Sequence, residues 1–233
     1  MGPPPITGAT GDLTLASEDG LGSRVYRSIR ERIITGQYEQ GARLPESRLA
    51  TDLQVSRIPL REVLPRIKAE GLITTLPRRT AVVTRWNTQA VHELFDARLA
   101  IEVAAVGRAA RASGDGAALD RMDLVLQESE TEMSRGDDLG FAEANVTFHM
   151  ALVAASGNSL MTSLMRSISS RMAWLFMLTA QRDHETACRE HRELLAAVRS
   201  GNERLAESAA YTHIEVGREP SLLALRHLLD DGE

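Results

Sequence analysis

Charge is divided unevenly along this chain, and the division constrains its architecture more than any other feature. From Arg24 to Arg85 there are 13 Lys and Arg against 6 Asp and Glu, a net of +7. Asn87 to Glu233 carries 14 against 23, a net of −9. The whole-chain charge of −5 would argue against a polyanionic partner, but it averages a basic module with an acidic one. Charge at the level of the domain is what reports nucleic-acid binding, so the basic module is read as a DNA-binding head. Three segments are expected: a disordered lead-in over 1–22, the head over 23–86, and a second domain over 87–233.

The second domain is rich in Ala, Leu and Arg, and aromatic residues make up only 4% of the chain, which favours helices over sheets. No stretch reaches the roughly 18 to 20 apolar residues of a membrane span, so no membrane association is expected. The first 22 residues lack the basic and apolar regions of a signal peptide. The single cysteine, Cys188, excludes an intramolecular disulfide and a cysteine-based zinc ribbon, and a reducing cytoplasm is the expected setting.

Within the head, Val25, Ile29 and Ile33 recur at four-residue spacing and predict an amphipathic helix ending at Gly36. Pro45 opens a second, short segment through Leu49, Ala50 and Leu53. Ser56 is placed to cap a third helix, with Val63, Leu64 and Ile67 as its buried stripe and Gly71 as its stop. The runs 73–76 and 81–84, separated by the turn Pro77 to Thr80, predict a β-hairpin. These are the parts of a winged helix-turn-helix, in which one helix enters the major groove and the hairpin tip approaches the DNA backbone or minor groove. Arg57 and Arg61 lie four apart at the start of the third helix and share a face, where arginine can reach guanine bidentately. Arg78 and Arg79 sit at the turn of the wing.

The run Leu44-Pro45-Glu46, Leu49-Ala50, Val55-Ser56-Arg57-x-Pro59-Leu60-Arg61-Glu62-Val63-Leu64 and Lys68-Ala69-Glu70-Gly71-Leu72-Ile73 closely resembles the DNA-binding domain of the GntR family of bacterial transcription regulators. That resemblance implies Arg57 and Arg61 as DNA-contacting residues and Arg48 as a phosphate contact. Two departures carry consequences. Pro65 falls inside the third helix and predicts a kink after Arg61. The wing turn has bulky Arg78 and Arg79 where the family carries glycines, so it is expected to act through charge instead of close backbone approach.

The acidic module is continuously helical, with breaks at 113–116, 136–137, 157–158, around Asp183, at 201–202 and at Glu219-Pro220, and an antiparallel bundle of six or seven helices is expected. Asn145 and His149 lie four apart and face the same way; His191 and His213 fall on two later helices. Phe148-His149, His191 and His213 in their surroundings resemble the ligand-sensing FCD domain of the FadR-type branch of that family. In the family an Asp-x-x-x-His pair and two later histidines converge on a divalent metal, which implies His149, His191 and His213 as ligands here, with Asn145 where the family has aspartate. Three imidazoles suit zinc or nickel. A site with neutral ligands keeps the metal's charge and favours an anionic effector. By the same resemblance Arg98 would hold a small carboxylate effector; a structural ion pair with Glu102, one turn on, is the alternative. Arg171, Trp174 and Met177 are further cavity candidates, and His92, His184 and His227 are assigned no role.

The chain is therefore read as mainly α, with an N-terminal winged helix-turn-helix and a C-terminal antiparallel helix bundle. The function expected is that of a transcription regulator, a repressor, binding palindromic double-stranded DNA as a homodimer. Its rivals are a metal-dependent hydrolase using the three histidines and a regulator that binds its effector without metal.

Overall fold

The computed structural model describes residues 20–75, 80–112, 116–180 and 184–228, with the side chains of 116–118 excepted. Helix α1 (Leu21–Ile34) buries Val25, Tyr26, Ile29, Ile33 and Ile34 along one stripe. It begins two residues inside the segment expected to be a disordered lead-in. Gly20 holds the capping position with no side-chain bond, so no polar residue marks the start. Residues 1–19, the rest of that lead-in, lie outside the described residues.

Helices α2 (Glu46–Leu53) and α3 (Arg57–Ala69) follow, separated by Gln54 in the left-handed conformation. Ser56 stands at the N-terminus of α3 as expected, but its side chain makes no capping bond. Leu60, Val63 and Ile67 form the buried stripe of α3, with Leu64 partly buried. Pro65 lies on the exposed face, and α3 continues through it to Ala69.

Strands β2 (Ile73–Thr75) and β3 (Ala81–Val83) make the expected antiparallel hairpin, with Thr74 opposite Val82. Strand β1 (Arg43–Leu44) adds to the other side of β3, giving the order β1-β3-β2. Two residues are too few for an alternating pattern, so β1 had no sequence signal.

The second module is helical throughout its described residues. Helix α4 (Thr88–Arg98) runs through a π-helical turn, Leu99–Val103, into α5 (Ala104–Arg111). Then come α6 (Gly116–Arg135), α7 (Asp138–Ala155), α8 (Ser159–Leu178), α9 (His184–Arg199), α10 (Glu203–Val216) and α11 (Arg218–Leu225). Asp137, Asn158 and Asn202 each accept hydrogen bonds from backbone N–H groups at the start of the next helix, which is why these breaks were legible. The break expected at Glu219-Pro220 falls instead at Gly217. Pro220 lies in the first turn of α11, where a proline removes no intrahelical bond. The breaks expected at 113–116 and around Asp183 fall largely outside the described residues.

Helix α7 packs against α5, α6 and α8, and α9 packs against α5, α6 and α10. A Cβ at Gly107 would collide with Glu207, so the small residue sets the close approach of α5 and α10.

One buried apolar cluster runs from the head into α4, α7 and α8. Trp86 meets Trp174 edge-on at 5.6 Å across that junction. Polar contacts reinforce it: Arg30 of α1 pairs with Glu143 of α7 and donates to Ser170 of α8 at 2.8 Å. Ser170 and Tyr26 both donate to Glu70, each at 2.6 Å. Arg171 packs over Gly71, whose φ of 76° and lack of a Cβ admit the guanidinium.

Candidate functional site

Three helices deliver three imidazoles to one point. His149 of α7, His191 of α9 and His213 of α10 have ring centroids 4.9 to 5.3 Å apart, and one ring nitrogen from each lies within 4.8 Å of the others. His149 and His191 are buried and His213 is half-buried. A buried group of this kind could hold a metal ion.

Carboxylates fix two of the rings. His149 Nδ1 stands 2.6 Å from Glu102 Oε2, and His213 Nδ1 stands 3.1 Å from Glu190 Oε2. An ionised carboxylate only accepts, so each Nδ1 carries a proton and Nε2 is the ring nitrogen turned to any ligand. Glu102 reaches His149 from the π-helical turn, a local widening of the helix of the kind found at functional sites.

The same turn orients Arg98, whose Nε donates to Glu102 Oε1 at 2.7 Å while Nη2 lies 3.2 Å from His149 Nε2. Its guanidinium lies between the rings of Phe95 and Phe176, 5.8 and 5.3 Å from their centroids.

Burial sets the protonation states. Desolvation holds His149 down to about 4 against the opposing pull of Glu102. Desolvation, then the neighbouring His213, His149 and Arg98, keep His191 well below the ordinary histidine value. For Glu102 burial pushes upward, but the positive Arg98 and the bond to His149 outweigh it and hold the carboxyl well below the usual range. Neutral imidazoles are the form that ligates metal. Asn145 Oδ1 and His191 Nδ1 are buried without a hydrogen-bond partner. Two orphaned polar atoms beside neutral imidazoles are what a site awaiting a cation would contain, so the residues fit a metal.

The cluster forms one end of a cavity of about 300 Å³. Arg98 and Asn145 line it with the histidines; Phe95, Phe141, Phe176, Ile214 and Pro220 line the remainder. Arg98 makes the ion pair with Glu102 that its spacing suggested, and it also lines the cavity. Trp174 and Arg171 point elsewhere, to the junction with the head, and Met177 is not among the lining residues. His184 is in the wall, stacked on Phe141 at 3.9 Å, although its charged neighbours in sequence suggested no role. Glu102 was the acidic member that spacing had not placed in the site. Its position four residues after Arg98 was the available signal, and its charge is offset by that arginine.

On the head, Arg57 and Arg61 are exposed at the start of α3, and Arg48 is exposed on α2 beside Asp52 at 3.6 Å. Arg61 Nε donates to Glu46 Oε2 at 3.0 Å. Between the two α3 arginines Ile58 is 71% exposed, an apolar side chain on a basic face that the helical pattern had not singled out. Arg78 and Arg79 lie outside the described residues.

A basic winged helix-turn-helix joined to a helical bundle with an internal polar cavity is the architecture of a ligand-responsive DNA-binding protein. The profile of the FCD domain matches residues 93–216, and that of the bacterial regulatory proteins of the gntR family matches residues 21–83. The HTH-type transcriptional regulator YdhC of Bacillus subtilis is 27% identical over 211 residues, covering 89% of this chain and 92% of that one. The gluconate operon transcriptional repressor of Bacillus licheniformis is 30% identical over 163 residues, covering 70% and 66%. A crystal structure of a GntR transcriptional regulator from Rhodococcus sp. RHA1 superposes with a TM-score of 0.74 at 27% identity, covering 87% of this chain and 98% of that one. The chain belongs to the gntR family of bacterial regulatory proteins, in the branch whose C-terminal half is an FCD domain. Its family is one of transcription regulators, not enzymes, which removes the hydrolase reading.

Proposed function

We propose that this regulator is a repressor whose hold on DNA is released by a small carboxylate bound at a metal in the FCD domain. The observation that carries the reading is the set of three converging imidazoles lining an internal cavity. His149, His191 and His213 would hold the metal, zinc or nickel by ligand type, with the Asn145 amide oxygen as a candidate fourth donor. When bound, the metal supplies a Lewis-acidic centre for a carboxylate. Arg98, tethered to Glu102 through Nε and 3.2 Å from His149 Nε2 through Nη2, would offer the remaining N–H groups of its fork to the carboxylate. Gluconate repressors among the relatives support repression as the mode of action.

On DNA, Arg57 and Arg61 read the major groove, with Ile58 between them suited to a thymine methyl; Arg48, Arg78 and Arg79 contact phosphates. A homodimer on a palindrome follows from the small footprint of one recognition helix. The division of labour falls between residues 23–86 and 87–233, and the protein works in the cytoplasm with the chromosome. Coupling between the two ends runs through α7, which carries Asn145 and His149 inward and Glu143 outward to Arg30 of the head. A ligand that shifts α7 therefore biases the placement of α1.

Calorimetric titration of zinc and of nickel into wild type, Asn145→Asp and His191→Ala tests the site. Asn145→Asp should tighten metal binding, and His191→Ala should abolish it. A His191→Ala protein that binds metal as well as wild type would overturn the metal reading.

A further inference from the structure

We infer that the effector is a monocarboxylate with a compact apolar tail of about the size of an aromatic ring, and not a polyhydroxylated acid. The inference rests on the carboxylate reading above and deepens it.

The chain has four phenylalanines in 233 residues, and all four gather at this site. Phe148 backs the imidazoles, stacked on His191 at 4.3 Å. Phe95 and Phe176 flank the Arg98 guanidinium and so have work to do in holding it. Phe141 is different. It stacks on His184 at 3.9 Å with 15° between the ring planes, and it lies on α7 two turns before His149, about 12 Å along the helix axis. With Ile214 and Pro220 it gives the cavity an apolar wall.

The polar groups tell the same story. Thr179 Oγ1 donates to Leu175 O at 2.9 Å, Glu190 is taken by His213, and Arg98 Nε is taken by Glu102. Thr186, also in the lining, accepts from Arg189 Nη2 at 3.2 Å. A chain of hydroxyls along the apolar wall would be desolvated without partners, each weakening binding roughly tenfold. A volume of about 300 Å³ lies at the small end of ligand pockets, which leaves room for a carboxylate and one ring.

The test is calorimetric titration of the full-length, zinc-loaded protein with acetate, phenylacetate and gluconate. Phenylacetate should bind roughly ten- to a hundredfold more tightly than acetate, through burial of the ring. Its binding should carry a negative heat-capacity change. Gluconate should bind no more tightly than acetate. Phe141→Ala should bring phenylacetate close to acetate while leaving the acetate and zinc titrations unchanged; His184→Ala, at the partly exposed partner of the stack, serves if that variant does not fold. Gluconate binding as tightly as phenylacetate would overturn the apolar tail and leave the carboxylate reading standing, as would full phenylacetate affinity in a folded wall variant. No binding of any of the three acids, with zinc bound, would overturn the carboxylate reading itself.

Discussion

The head and the sensor each contain an arginine held by a glutamate, and the two pairs behave as opposites. Arg61 and Glu46 meet at 3.0 Å on the head with side-chain exposures of 68% and 29%. Arg98 and Glu102 meet at 2.7 Å inside the bundle with exposures of 3% and 2%. The surface pair is solvated, contributes little to stability, and can be exchanged for phosphate or base at small cost. The buried pair cannot be exchanged. Each member neutralises a charge that has lost its water, and the pair is locked further by His149 and two phenyl rings. The same chemistry is thus a detachable contact in one place and a fixed scaffold in the other, and the difference is solvent access.

The largest expected effect breaks the buried pair. Arg98→Ala leaves the buried Glu102 without its cationic partner and should destabilise the protein by about 3 to 5 kcal/mol in chemical denaturation. A loss under 1 kcal/mol would mean the sensor pair is as dispensable as the surface one.

Next comes pH. In metal-free protein His149 is held near 4 in the folded state against about 6.5 when unfolded, so between those values the unfolded chain binds the extra proton. Stability should be full above pH 6.5 and fall as pH drops toward 4, by up to about 3 kcal/mol. Acid melting curves read it, and His149→Gln should flatten the slope. Below that window the depressed Glu102 carboxyl extends the loss, since its stabilisation is present above its unfolded value and disappears as it protonates. A wild-type curve flat from pH 6.5 to 4 would contradict the buried assignment.

On the head, Arg61→Ala should weaken specific operator binding by about 1 to 3 kcal/mol at fixed salt. Replacing Arg78 and Arg79 together should lower the slope of log K against log salt by at most about 2. Unchanged operator affinity for Arg61→Ala would remove it from the readout. The smallest effect is that of Glu46→Gln, which should change folding stability by less than about 1 kcal/mol. A larger loss would make the surface pair a structural element after all.

Periodicity and punctuation made the helices of both modules legible, because a 3.6-residue stripe and an Asp or Asn cap are local properties of the chain. The domain split was legible in charge. His149, His191 and His213 were assembled by resemblance to the family, since positions 22 to 64 residues apart carry no common local signal. The same holds for Phe141 and His184, whose stack no spacing could announce. Glu102 was visible only as a neighbour of Arg98. Its reach to His149 depends on a π-helical turn that has no pattern of its own.

What the sequence by itself determined is the class of the protein: a basic winged head with Arg57 and Arg61 on one helical face, followed by an acidic helical domain carrying a histidine set. Local spacing and segment charge, with the resemblance to the family for the histidines, suffice for that. Only the tertiary structure decided the electrostatics of the sensor: which carboxylates orient which imidazoles, which residues are dry enough to stay neutral, and that the arginine at the cavity is already paired. Desolvation depends on what every other helix brings to the same point, and that sum exists only once the chain has folded.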